Sequence, residues 1–355
     1  MILEKAKKYI QGIGKKDKIC IIHDTDPDGI CATVLILKCI KKLLNKKAEI
    51  TMPFDKETYS ITQETIKMLK KKGINKIIFL DFSIDQHLKI LKKLEKWAQI
   101  LIIDHHKIYH KINNKKITMI KPQMFTKIPP SKYCTAKLAY DICSQITDMK
   151  ESDWLAATAS IADVATEPWK KWIKKIFKKH KIKWKKNLFE TKLGQTATII
   201  NNTYTYNPKT LKKIIKTVYN AKKPDDIIKS ELKEYHNKIQ KEIEKNIKEF
   251  KQKAEKHKDL RFFLIKTKHR IGSTISTILG LKYKNKTIII ARKENGTISI
   301  SARRNDQKKA VNEILEKAVK GLKNAHAGGH KPAAGARIRK QDLKIFKERI
   351  LKLTQ

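Results

Sequence analysis

The chain has 355 residues, 40% of them hydrophobic, which allows two domains with sizeable cores. No apolar run approaches the ~20 residues a membrane span needs, and residues 1–8 lack the apolar stretch of a signal peptide, so a cytoplasmic protein without membrane contact is expected. Formal net charge is +46, from 81 Lys and Arg against 35 Asp and Glu, which points either to a polyanionic partner or to a chain-wide lysine bias.

The first readable strand is Ile19-Cys20-Ile21-Ile22, running into His23-Asp24-Thr25-Asp26-Pro27-Asp28-Gly29. Residues 30–40 are apolar nearly all round and predict a buried helix. Its start beside Gly29 would aim backbone N–H groups at an anion. Alternation continues with a strand near 49–52, a helix near 62–71, a strand over 76–80, a helix near 86–97 and a strand over 99–103. That order predicts a parallel sheet. Pro129-Pro130 breaks the chain, and helices follow near 133–146 and 153–163.

Residues 169–186 are rich in Lys and carry Trp169, Trp172 and Trp184. They read either as a stacking surface for single strands or as an amphipathic helix with buried Trp. Residues 193–223 carry no readable motif. Residues 225–257 predict one long helix with Ile239, Ile243, Ile247, Phe250 and Ala254 on a single stripe, a connection between domains. A second α/β unit begins with a strand at 261–265 and a helix from about Gly272. Strands over 286–292 and 297–303 flank Glu294-Asn295-Gly296, a hairpin signal. A helix near 306–320, a loop over 325–330, a last strand and a last helix finish the chain.

Chemistry gathers at three strand ends. His23 to Gly29, Asp81-Phe82-Ser83 after Leu80, and Asp104-His105-His106 after Ile103 each place carboxylate or imidazole where an apolar strand stops. A parallel sheet sets those ends side by side, where ligands collect. Acids gathered without cations raise one another's pKa, so the cluster predicts hard divalent ions. The five cysteines (20, 31, 39, 134 and 143) form no C-x-x-C pair and fit small buried residues in a reducing compartment. All eight arginines (261, 270, 292, 303, 304, 337, 339 and 349) lie after residue 260. A flat bidentate fork suits phosphate.

The motifs HDTDPDG, LDFS, DHH, IADVA and GGHKPAAG, in that order, resemble those of the DHH phosphoesterase superfamily with a C-terminal DHHA1 domain, and most of all archaeal RecJ-like nucleases. The resemblance implies an α/β fold: a parallel-sheet DHH domain over 1–190, a helical linker or insert over 191–257, and a smaller α/β DHHA1 domain over 258–355. It implies two divalent ions, Mn²⁺ before Mg²⁺, with Asp26 on one, Asp28 on the other, Asp81 bridging, and His105 and Asp163 completing the second. His23 and Asp24 are both candidates for the outer ligand of the first ion, with Asp24 fitting the D-x-D-x-D-G form. Asp104 would orient His105, and His106 would contact phosphate. Ser301, Arg303, Arg304, Gly328, Gly329 and His330 would bind substrate, with the scissile phosphate held between the domains.

The function implied is a single-strand exonuclease on DNA or RNA that releases mononucleotides, in DNA repair or replication. Two alternatives accompany it: an enzyme on very short RNA or 3′-phosphorylated adenosine nucleotides, and a Cdc45-type replisome scaffold. Docking to a replisome partner such as GINS would use the helical insert.

Overall fold

The computed structural model describes residues 2–54 and 61–354. The chain divides into two compact units, with the boundary between Lys233 and Glu234. No helix among the described residues is long and apolar enough to cross a membrane.

The first unit runs α1 (Ile2–Gln11), β1 (Ile19–His23), α2 (Pro27–Leu44), β2 (Ile50–Pro53), α3 (Gln63–Lys71), β3 (Lys76–Leu80), α4 (Leu88–Leu94), β4 (Gln99–Ile103), β5 (Ile117–Ile120), α5 (Thr135–Cys143), α6 (Asp153–Ala162), α7 (Lys170–Lys179), α8 (Lys192–Tyr206), α9 (Leu211–Asn220) and α10 (Pro224–Ile228). The five strands form one parallel sheet in the order β2-β1-β3-β4-β5. Successive side chains alternate between its faces. Ile19, Ile21, Ile78, Leu80, Leu101 and Ile103 pack on α1, α2, α5 and α6. Cys20, Ile22, Ile77, Phe79, Ile100 and Ile102 pack on α3 and α4. Both faces are covered, which is why the strands read as unbroken apolar runs.

Several elements escaped the sequence reading, among them α1 and β5. Helix α1 buries only Ala6 and Ile10, and β5 is a four-residue strand that extends the sheet beyond β4. Within the stretch expected as an insert, Leu193, Ile199, Ile200, Ile214 and Val218 of α8 and α9 join the core of the first unit. The expected long helix over 225–257 is broken instead. Ser230 donates its hydroxyl to the carbonyl of Ile227 and accepts from the amide of Leu232, a local bonding pattern that competes with helix. Helix α11 (Leu232–Lys253) starts there, and β6 (Glu255–His257) follows it. Ile239, Ile243, Phe250 and Ala254 of the stripe are buried, while Ile247 is half-buried. Phe250 packs edge-on against Phe263 at 5.7 Å.

The second unit continues with β7 (Leu260–Ile265), α12 (Gly272–Lys282), β8 (Thr287–Glu294), β9 (Thr297–Arg303), α13 (Val311–Val319), β10 (His326–His330), β11 (Ala333–Arg339) and α14 (Leu343–Thr354). Its sheet order is β10-β11-β9-β8-β7-β6. The Asn295-Gly296 hairpin joins β8 and β9 as expected, with Gly296 at φ +70°. Helix α13 begins at Val311, later than expected, because Asp306 is bonded to Arg304 and to the amide of Lys308. Residues 326–330, expected as a loop, form an edge strand paired with β11.

Candidate metal centre

The strand order places the switch of chain direction between β1 and β3, where ligands of doubly wound sheets collect. Both strands end there in acid. The amide of Asp24 donates to the carbonyl of Leu80, and the amide of Asp81 donates to the carbonyl of Ile103, so each acid is pinned to the neighbouring strand. Asp81 has φ +69°, a left-handed backbone that costs a non-glycine residue energy and is held by its surroundings. Gly29 is required for a different reason. A Cβ there would stand 2.4 Å from the carbonyl oxygen of Asp24, because the first turn of α2 lies directly on the β1 terminus.

Asp26 caps α2, its Oδ1 accepting from the amides of Asp28 and Gly29 at 3.0 Å each. The amides expected to face a substrate anion are therefore taken by the protein's own carboxylate. Asp28 reaches the start of α5, where Oδ2 accepts from the amide of Thr135 and Oδ1 from that of Ala136, both at 2.7 Å. The Thr135 hydroxyl donates to Asp81 Oδ1 at 2.9 Å. Thr135 and Ala136 carry no chemical signature, and sequence reasoning missed both.

His105 joins these acids. Its Nε2 lies 3.4 Å from Asp81 Oδ1, 3.5 Å from Asp163 Oδ2 and 3.8 Å from Asp28 Oδ2, while Nδ1 lies 3.2 Å from the carbonyl of Pro130. A proton on Nδ1 facing that carbonyl leaves the Nε2 lone pair aimed at the acids, as in a metal-ligating histidine. Asp163 caps α6. Asp104 turns the other way. Its Oδ1 accepts from the amides of His105 and His106 and lies 2.7 Å from Nδ1 of His106, while Oδ2 lies 2.8 Å from Nζ of Lys121. Lys121 is wholly buried, also pairs with Asp85 at 2.9 Å, and donates to the carbonyl of Lys107. Sequence reasoning missed it too, since one lysine among so many carries no signal.

Three groups of donor atoms in the first unit share Asp81. Ligand atoms of Asp24, Asp26 and Asp81 lie within 4.8 Å of one another, as do those of Asp28, Asp81 and His105, and those of Asp81, Asp104 and His106. His23 is in none of these groups. It is buried, with Nδ1 on the carbonyl of Asp24 and Nε2 without a hydrogen-bond partner. Of the two candidates for the outer position, the geometry gathers Asp24.

Electrostatics separate the acids. Burial, and then each acid's like-charged neighbours, push Asp28 and Asp81 well above the usual carboxylate range. Burial alone would lower His105, but Asp163, Asp28 and Asp104 reverse this and raise it. Burial would likewise raise Asp104, yet Lys121 and His106 hold it well below its ordinary value. Thus Asp28 and Asp81 are buried carboxylates that lack sufficient cationic compensation, whereas Asp104 has its cation built in. Oxygen-rich donors with one imidazole fit divalent Mn²⁺ or Mg²⁺ better than a soft metal.

In the second unit, residues directly opposite in adjacent antiparallel strands share a face. Ser301, Gly335 and Gly328 form one row, and Arg303, Ala333 and His330 form the next. Gly329 pairs with Ala334 and Ala302 on the opposite face. It has φ +136°, and a Cβ would meet the carbonyl of Ala333 at 2.6 Å. Arg304 also leaves the group. It is buried and held by Asp306 at 2.7 Å and Asp259 at 3.3 Å, a structural pairing.

Comparison with known proteins agrees with this architecture. Residues 18–166 match the DHH family N-terminal domain, and residues 263–355 match the DHHA1 domain. A curated relative, the single-stranded-DNA-specific exonuclease RecJ of Bacillus subtilis, is 27% identical over 168 residues, which is 45% of this chain and 21% of that protein. The match therefore spans about a fifth of that relative's length. Among solved structures, the DHH domain of a protein described as belonging to a family of ribosomal proteins has a TM-score of 0.75 at 16% identity, covering 99% of this chain and 90% of that one. RecJ from Thermus thermophilus in complex with Mn²⁺ has a TM-score of 0.68 at 17% identity, covering 99% of this chain and 54% of that one.

Proposed function

Because the chain carries a DHH-family N-terminal domain followed by a DHHA1 domain, we propose that it is a divalent-metal phosphodiesterase. In this reading it is a single-strand-specific exonuclease on DNA or RNA that releases mononucleotides. The observation that carries the reading is that Asp81 belongs at once to the Asp24–Asp26 group and to the Asp28–His105 group, as a carboxylate bridging two ions must.

Asp24, Asp26 and Asp81 would hold one ion; Asp28, His105 and Asp163, with Asp81, would hold the other. Such a pair, when bound, neutralises phosphate charge and makes a water acidic enough to attack near neutral pH. The chain's own residues prepare the site. The Pro130 carbonyl keeps the His105 ring oriented. Asp104, charged through Lys121, holds His106 by Nδ1 and so fixes the direction in which that ring meets phosphate. Thr135 steadies Asp81. Ser301, Arg303 and His330 are the proposed phosphate-binding groups of the second unit.

The test is hydrolysis with Mn²⁺ of single-stranded DNA and RNA labelled differently at each end, beside a dinucleotide. Progressive shortening of long strands, abolished by Asp81→Asn, is expected and would also give polarity. Cleavage of the dinucleotide alone would replace this reading with a small-substrate phosphodiesterase. Absence of all metal-dependent hydrolysis would leave the scaffold reading.

A further inference from the structure

The eight arginines of the second unit have sharply different partners. Arg304 lies between two carboxylates, Asp259 and Asp306. Arg339 forms a fork with Asp342 alone. Arg261 and Arg349 donate to backbone carbonyls. Three others converge on one acid. Arg292 is against Glu294 Oε1, Arg270 lies 3.7 Å from the same atom, and Arg337 lies 3.3 Å from Oε2. These four groups sum to three positive charges and one negative.

The placement is ordered by the sheet. Arg292, Ser299, Arg337 and His326 are directly opposite one another across β8, β9, β11 and β10, so they share one face. Two residues along β9 on that face is Ser301, whose row holds Gly335 and Gly328. Two residues on an antiparallel strand span about 7 Å, of the order of one nucleotide step in an extended strand. Arg270 enters the same patch from the residues just before α12, whose first residue, Gly272, faces the Ser301 hydroxyl. Side-chain exposure rises from 7% at Arg292 through 23% at Arg337 to 43% at Arg270, so the cluster is anchored inside and opens to solvent.

We propose that Arg270, Arg292 and Arg337 form a second phosphate subsite, one nucleotide step beyond Ser301 and Arg303, that receives the next backbone phosphate of a single strand. A phosphate bound there would meet three guanidinium forks already held in place by Glu294, which removes much of the ordering cost. The arginines do repel one another: burial, then Arg270 and Arg337, bring the Arg292 guanidinium down to about 10. An added anion would relieve that repulsion. The inference rests on the phosphodiester reading and narrows it to strands longer than a dinucleotide.

The test is binding by the full chain, without divalent metal, of a dinucleotide and a dodecanucleotide at several salt concentrations. The variant is Arg270→Gln with Arg337→Gln. A control pair of equal charge change, Lys320→Gln with Lys323→Gln, lies at exposed positions. The arginine pair is expected to lower dodecanucleotide affinity about tenfold and to reduce its salt slope by about 0.7, the loss of one phosphate contact on a single strand. The lysine pair should change the slope far less. Equal effects of the two pairs, or no effect of the arginine pair, would overturn the subsite. If the double variant fails to fold, Arg270→Gln alone is set against Lys320→Gln alone. Hydrolysis of strands with arginine-independent binding would remove the subsite and leave the enzyme reading. Arginine-dependent binding without any hydrolysis would do the reverse.

Discussion

Nζ of Lys121 lies 2.8 Å from Oδ2 of Asp104, and both side chains are wholly buried. Asp104 also holds the His106 ring by Nδ1 and the backbone amides of His105 and His106, and Lys121 also holds Asp85. One cation therefore compensates two buried acids. Lys121→Met should cost about 3–5 kcal/mol, since two buried carboxylates lose their partner. Urea unfolding measures it, and wild-type stability in this variant would refute the assignment.

Asp104→Asn separates orientation from ligation. The amide oxygen still accepts from the backbone of His105 and His106, but the charge that fixes the His106 ring is gone. Activity should fall about 10–100-fold, while stabilisation by Mn²⁺ persists. A loss of the metal-induced shift would instead make Asp104 a ligand.

Asp81→Asn should behave oppositely. Asparagine tolerates the left-handed backbone at this position and keeps an acceptor for Thr135. Hydrolysis should fall by at least about 10³-fold, and the Mn²⁺-induced rise in Tm should vanish. Without metal, the variant should melt higher than wild type, because a buried repulsive charge is removed. Lower metal-free stability would show that Asp81 is not held at a cost.

The pH dependence follows from the same acids. Asp28 and Asp81 ionise near 3.8 when unexposed to these surroundings and well above it in the fold. Between those values the folded state binds more protons, so metal-free stability falls as pH rises through that window. His105, raised above 6.5, has the same sign: its contribution is complete below 6.5 and is lost as pH rises through its folded value. Asp104 is opposite; its contribution is present above 3.8 and is lost on acidification below it. Mn²⁺ binding displaces the extra protons, so the metal-induced gain in Tm should be larger at pH 8 than at pH 5. Calorimetry at both values, with and without chelator, measures this, and an equal gain would contradict it.

Trp169 tests the two readings of the Lys- and Trp-rich stretch, in which Trp169, Trp172 and Trp184 are all half-buried. Its Nε1 donates to the carbonyl of Lys132 at 2.8 Å, and its ring packs on Tyr133 and Lys137. Trp172 packs on Tyr140, and Trp184 on Phe177. Trp169→Leu should lower stability by about 1–3 kcal/mol and leave strand affinity unchanged. Weakened binding at wild-type stability would restore the stacking surface.

The strands ending at His23, Leu80 and Ile103, and the acids beyond them, were legible because both signals are local: an apolar run and the polar residues that stop it. The hairpin at Asn295-Gly296 was legible for the same reason, since turn chemistry resides in the residues that make the turn. Choices that depend on register were not. Whether His23 or Asp24 faces Asp81 depends on how β1 ends against β3. Whether Arg303 or its neighbour Arg304 lies on the face of Ser301 depends on strand alternation and on where Asp259 and Asp306 fall. Lys121, Thr135 and Ala136 carry no mark in a sequence, because their roles come from groups 17 to 108 positions away. The amino-acid order determined which chemistry was present and at which strand ends. Only tertiary packing decided which acid received a cation from the chain itself, as Asp104 does from Lys121, and which, as Asp28 and Asp81, are buried among like charges, because burial and distance, not residue type, set the energy of a buried charge.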